Sequence, residues 1–268
     1  MSDADDALIG RLMSRREVLA LFGLAGAALV VGCSDGGSPE RPTSAATASG
    51  ETPTVGARPT AAAASSTRAV PACVVVPELT EGPYFVDEKL NRTDIRSDPA
   101  TGNASDGDQL DLAVLVSQVG ADGGCAPLPG AQIDVWQCDA LGIYSDVTDI
   151  AGAFDTRGQK FLRGYQLTDV DGRASFTTVY PGWYQGRATH IHFKVRAASG
   201  HEFTSQWFFD DALSDRVHAQ GAYAAKGAAG RTPNGADGIF RDSNGMLTLD
   251  VVRAGARYAA TFDIGLRF

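Results

Sequence analysis

From Cys73 onward the chain alternates apolar and polar positions with period two in short runs. These are QLDLAVLVSQV (109–119), AQIDVWQC (131–138), GYQLTDVDGRASFTTVY (164–180), THIHFKVRA (189–197), FTSQWFFDD (203–211), GMLTLDVVR (245–253) and RYAATFDIGL (257–266). Each carries β-branched or aromatic residues at strand spacing and is bounded by Gly, Pro, Asp or Asn. Asp169-Val170-Asp171-Gly172 and Gly120-Ala121-Asp122-Gly123-Gly124 have hairpin-turn composition. Only Asp215 to Lys226 has a helical look. Many short strands without long helices predict an all-β domain, an antiparallel β-sandwich with long loops and little helix, over 71–268.

The first part of the chain has a different pattern. Ser14-Arg15-Arg16-Glu17-Val18-Leu19 is a twin-arginine pattern, and the apolar run that follows it ends at Cys33. That run is too short, and too rich in Gly and Ala, for a membrane span of about 20 apolar residues. Residues 1–32 are therefore expected to be an export signal, and Val30-Val31-Gly32-Cys33 to be a lipobox in which Cys33 takes the lipid. Residues 33–70 are mostly Ser, Thr, Ala, Pro and Gly, a composition that cannot bury a core, and are expected to form a disordered linker that tethers the domain to a membrane only through the lipid.

Charge narrows the class further. With 32 acidic against 23 basic residues the chain is a poor candidate for nucleic acid, which selects a basic face. Export bears on the cysteines too. With Cys33 assigned to lipid, Cys73, Cys125 and Cys138 remain, so one disulfide and one free thiol are expected in an oxidising compartment. Cys125 with Cys138 is the least favoured pair, because a strand between them would exceed the reach of a disulfide. The partner of Cys73 stays open.

The candidate chemistry lies in Tyr184-Gln185-Gly186-Arg187-Ala188-Thr189-His190-Ile191-His192 and in Gly142-Ile143-Tyr144-Ser145. On a strand, His190 and His192 share one face and Ile191, Phe193 and Val195 the other. Of only four histidines in the chain, two stand here, directly after a Tyr-x-Gly-Arg turn. Imidazole suits several transition metals, whereas two phenolates favour a trivalent ion and point to ferric iron.

These segments resemble the intradiol ring-cleavage dioxygenases, the catechol and protocatechuate dioxygenases among them. Further matching pieces are Thr80-Glu81-Gly82-Pro83-Tyr84-Phe85, Pro129-Gly130-Ala131 leading into Val135-Trp136-Gln137, Arg163 to Asp169, and Tyr180-Pro181-Gly182-Trp183-Tyr184. The resemblance is greatest to exported, stand-alone members. It implies one Fe(III) per chain held by Tyr144, Tyr184, His190 and His192, with Tyr184 and His192 axial and Tyr144 and His190 equatorial. It implies Tyr184, Arg187 and Gln206 as catalytic, and Gly82, Pro83, Tyr84 and Arg187 as substrate-binding. Catecholic compounds and O2 are the implied reactants and muconate-type diacids the products. Trp136 and Arg163 read as framework. The resemblance fixes neither the particular catechol nor the oligomeric state.

Two other readings compete. A transthyretin-like binding module at the envelope would account for the strands and turns, but not for the tyrosines beside the histidines. An oxygenase using a divalent metal, two histidines and a carboxylate would need Glu202, Asp210 or Asp211 as third ligand.

Overall fold

The computed structural model describes residue 73 and residues 75–268. The twin-arginine segment, Cys33 and the Ser- and Ala-rich stretch lie outside the described residues. Among the described residues nine strands follow in order: β1 (Gln109–Val119), β2 (Cys125–Pro127), β3 (Gln132–Trp136), β4 (Arg163–Leu167), β5 (Arg173–Val179), β6 (His190–Arg196), β7 (Glu202–Phe208), β8 (Val251–Ala254) and β9 (Arg257–Leu266). They form two sheets. One has the order β2-β1-β9-β8, with β5 also paired to β1, and the other the order β4-β3-β6-β7. The expected sandwich is present, and Gly120–Gly124 closes the β1–β2 hairpin; Asp169–Gly172 also turns, but it carries the chain from β4 in one sheet to β5 in the other, so it is a crossing between sheets and not the expected hairpin.

One pair departs from the antiparallel pattern. β9 runs parallel to β1, from Leu110 beside Tyr258 to Gln118 beside Leu266. Periodicity sets which face a residue takes, not the direction of the neighbouring strand, so this pairing had no signal in the sequence.

The core is made by one face of each sheet. Leu110, Leu112, Val114 and Val116 alternate inward on β1, and meet Ile133, Val135, Ile191, Phe193, Val195 and Trp207 from the second sheet. Each buried aliphatic or aromatic side chain of this kind contributes roughly 1.5–3 kcal/mol relative to exposure. The outer face of the second sheet is not left to solvent. Register aligns Trp136 with His192 and His192 with Gln206 across β3, β6 and β7, and all three are buried there. Loops from 77–108 and 138–162 cover that face, with Tyr84, Trp136, Cys138 and Tyr144 forming a second, smaller apolar cluster.

Two helices among the described residues lie beside β7: α1 (Asp211–His218) and the short α2 (Gly238–Asp242). The helical expectation for Asp215 to Lys226 is therefore shifted. The helix starts at Asp211 because Asp210 caps it, its side chain accepting from Leu213 N at 2.8 Å. It stops before Gly221, which adopts φ of 56° and opens a separate three-residue turn to Tyr223. In the run 245–253 only Val251 onward is strand, and the earlier part touches β7 through Thr248 opposite Phe208.

Cys73 is bonded to Cys125, with Cα atoms 6.0 Å apart, and this settles the open pairing. Cys138 is free and buried. Among the described residues no helix is long and apolar enough to cross a membrane.

Candidate metal centre and cleft

His190 and His192 project from the outer face of β6 toward one point. Their Nε2 atoms lie 3.0 Å apart, and the His190 Nε2 is 3.2 Å from the Tyr184 hydroxyl and 3.5 Å from the Tyr144 hydroxyl. The four residues that the sequence put forward as ligands are thus brought together, with both imidazoles and Tyr144 no more than 2% exposed. A strand face of this composition is more often solvated, and here it is buried because the two tyrosine-bearing loops close over it.

Two glycines allow that closure. Gly142 has φ of 86°, and a Cβ there would lie 2.2 Å from the Trp183 carbonyl oxygen. A Cβ at Gly182 would meet the Asp139 carbonyl oxygen at 2.4 Å. The turn carrying Tyr144 and the turn carrying Tyr184 therefore pack backbone against backbone, joined by the Gly182 N–H donating to Asp139 O at 3.0 Å. Arg163 braces the same loops from beneath. Its guanidinium donates to Ser145 O at 3.0 Å and to Tyr84 O at 2.7 Å, and burial brings its pKa down to about 10.

The donor set suits a cation. The carbonyl of Ala188 lies 2.6 Å from His190 Nδ1 and can only accept, so Nδ1 carries the proton and the Nε2 lone pair faces the other donors. Burial, with the Arg187 charge second, lowers the His190 pKa to about 3, and burial with the neighbouring His190 drives His192 well below its usual value. Both rings are neutral in ordinary solution, as an imidazole must be to bind a cation. Burial raises the Tyr144 phenol well above the normal range, with Tyr184 second, and moves Tyr184 up to about 12 against the opposing charge of Arg187. Ionising both phenols here requires a compensating positive charge at the point they share. A metal–nitrogen bond of about 2.0–2.1 Å places adjacent donors roughly 3 Å apart, which is the spacing found.

His192 is held differently from His190. Its Nδ1 has no hydrogen-bond partner among the described residues, and the ring is fixed by Trp136, which stacks on it at 5.0 Å with planes 9° apart. Gly82 packs close to the same ring, where an added Cβ would come within 3.1 Å of His192 Cε1. Trp136 and Arg163, read as framework from sequence, thus both touch parts of the site.

The third-ligand candidates of the divalent reading are engaged elsewhere. Glu202 pairs with Arg196 at 3.2 Å, Asp210 caps α1, and Asp211 bonds Arg231 at 2.6 Å. Among the described residues no group of three His, Cys, Asp or Glu side chains is placed to hold a metal.

A cleft of about 790 Å³ opens onto Tyr184, lined also by Gly82, Pro83, Tyr84 and Arg187, with Ile143, Ile150, Phe154 and Ile239 as its apolar walls. All the residues expected to bind substrate therefore line it. The Tyr84 hydroxyl donates to Asp149 at 2.6 Å, and burial together with that carboxylate raises the phenol to about 12. Arg187 lies between cleft and sheet. Nη1 is 3.4 Å from the Tyr184 hydroxyl, Nη2 donates to the Gln206 side-chain oxygen, and Nε donates to Asp237 at 3.0 Å. Gln206 in turn donates to Thr80 O at 2.8 Å, so it reaches the site through Arg187. Sequence reasoning missed Asp237. Its signal was slight, an Asp-Gly pair at a helix start.

Comparison with known proteins bears on the family. A family model described as Dioxygenase matches residues 80–226, a segment that contains all four converging donors. The chain is 33% identical over 118 residues to the catechol 1,2-dioxygenase of Candida albicans, a match covering 37% of each chain. It is 28% identical over 151 residues to a chlorocatechol 1,2-dioxygenase of Pseudomonas sp., covering 48% of this chain and 54% of that one. These matches thus reach only about a third to a half of those relatives' length. Among solved structures, an intradiol ring-cleavage dioxygenase from Tetranychus urticae superposes with a TM-score of 0.63 at 27% identity, over 73% of this chain and 95% of that one. The dioxygenase domain of a carbohydrate-binding fusion from Streptomyces sp. SirexAA-E gives 0.52 at 28% identity, over 72% and 99%. The chain belongs to the intradiol ring-cleavage dioxygenase family.

Proposed function

We propose that this chain cleaves catecholic rings with O2 between the two hydroxyl-bearing carbons, giving muconate-type diacids. The observation that carries the reading is the convergence of Tyr144, Tyr184, His190 and His192 on one point, with Tyr184 also lining the adjacent, largely apolar cleft. Those four residues would hold one Fe(III), which when bound supplies the redox-active centre that a chelated catecholate needs for reaction with O2.

The chain's own residues divide the remaining work. Tyr144 and His190 are fully enclosed and serve as fixed anchors. Tyr184 is only half-buried and faces the cleft, so its Oη is the atom placed to accept a proton from an arriving diol. Arg187 faces the same space and offers a fixed positive group to charge that develops on the ring. One such donor in a dry site contributes on the order of 3 kcal/mol. Pro83, Tyr84 and the apolar walls exclude water and hold the ring. The cleft volume falls within the range of about 300–1,000 Å³ typical of drug-sized ligands, which supports catechols bearing a substituent.

Export by the twin-arginine route and lipid attachment at Cys33 belong to the same proposal. The Cys73–Cys125 bond supports an oxidising location. In that setting the substrate is a catechol met outside the cytoplasm.

The test is spectroscopic. Iron-loaded protein is expected to absorb visible light through phenolate-to-iron charge transfer, and Tyr144→Phe and Tyr184→Phe each to weaken the band and the activity. Colourless iron-loaded protein, or two fully active variants with unchanged spectra, would overturn the assignment.

A further inference from the structure

Asp237 stands 50 residues after Arg187 in sequence and is 2% exposed. Its Oδ2 accepts from Arg187 Nε at 3.0 Å and from the Ala188 N–H at 2.9 Å, while Oδ1 accepts from the Ile239 N–H at 2.9 Å and caps α2. Ala188 is the residue whose carbonyl fixes the ring of His190. A single carboxylate therefore ties down the guanidinium beside the cleft and the backbone N–H of the residue whose carbonyl orients the His190 imidazole.

We infer that Asp237 is a positioning residue for ring cleavage, acting through Arg187 and, by holding the Ala188 N–H, through the backbone at Ala188; this rests on the function proposed above. A guanidinium is a planar fork, and two anchored edges define its plane where one leaves it free to swing. Gln206 holds Nη2 and Asp237 holds Nε, so the Nη1 edge is the one turned to Tyr184 and the cleft. The platform under Asp237 is itself rigid. Arg231 bonds Asp211 at 2.6 Å and Asp215 at 2.8 Å, and Asn234 Nδ2 donates to Phe209 O at 2.8 Å. Capping alone would need only Oδ1. The second oxygen, aimed at Arg187 and Ala188, is what a purely structural role leaves unexplained.

Two variants separate the roles. Asp237→Ser preserves a good helix cap but is too short to hold Arg187, and Asp237→Asn keeps the shape without the charge. Both are compared with Arg187→Ala and with the Asp237→Asn/Arg187→Ala double variant, using iron-loaded protein. The readouts are kcat and KM for catechol and the Kd of 4-nitrocatechol, followed by that ligand's own absorbance. Asp237→Ser and Asp237→Asn are each expected to lose about tenfold or more in kcat/KM and to weaken 4-nitrocatechol binding, with iron content retained. The double variant is expected to lose less than the product of the two single losses, since both changes act on the Arg187 contact. Losses that multiply in the double variant, or wild-type kinetics and binding in Asp237→Ser, would overturn the inference while leaving ring cleavage standing. Wild-type protein that binds and cleaves no catechol would instead overturn the function, and this inference with it.

Discussion

The indole of Trp136 lies flat on the imidazole of His192, ring centres 5.0 Å apart and planes within 9°. Since His192 Nδ1 has no hydrogen-bond partner among the described residues, this stack does for His192 what the Ala188 carbonyl does for His190. Trp136→Ala is expected to lower iron affinity about 10–100-fold, the usual scale for residues that orient a ligand. It should also cost about 3–5 kcal/mol of stability through the lost ring. Trp136→Phe, which keeps an aromatic plane, should retain most of the iron. Chelator competition measures this, and equal iron affinity in the two variants would contradict it.

The register that sets Trp136 against His192 explains what was legible beforehand. Period two assigned His190 and His192 to one face and Ile191, Phe193 and Val195 to the core, and the structure keeps that division. Tyr144 and Tyr184 could be named because their local sequences are distinctive. The burial of the imidazole face was not legible, because the loops that cover it have no periodicity. Nor was the contact from Asp237, a tertiary approach across 50 residues that no local pattern encodes. The parallel pairing of β9 with β1 failed to show for the same reason: strand direction depends on a partner far away in sequence.

The disulfide carries a stability prediction. Cys73 and Cys125 close a loop with a sequence separation of 52, for which chain entropy gives about 4 kcal/mol of stabilisation. Reduction, or Cys125→Ser, should lower the denaturation midpoint accordingly, while buried Cys138 stays unreactive in the folded protein because burial raises its thiol pKa. Denaturant titration with and without reductant, and thiol counting in native protein, check both parts. A midpoint insensitive to reductant would contradict the first.

Asp237 adds a pH dependence. Burial alone would raise its carboxyl, but the Ala188 N–H and Arg187 outweigh this and hold it below the ordinary range. A carboxyl depressed in the folded state contributes stability that is present above its unfolded pKa of about 3.9 and is lost as pH falls through the lower folded value. The gap in Tm between wild type and Asp237→Asn should thus be steady from about pH 6 to 8 and close below about pH 4. A gap that persists undiminished in acid would contradict this placement of the charge.

The central claim is that Tyr144, Tyr184, His190 and His192 form a centre that opens catechols between the hydroxyls. It is tested most directly by identifying the product of catechol and O2 with purified, iron-loaded protein, using mass spectrometry and NMR. The account predicts a cis,cis-muconate diacid, formed with one O2 consumed per catechol. A ring opened beside the diol to a semialdehyde, or no oxygen uptake with any catechol, would contradict it.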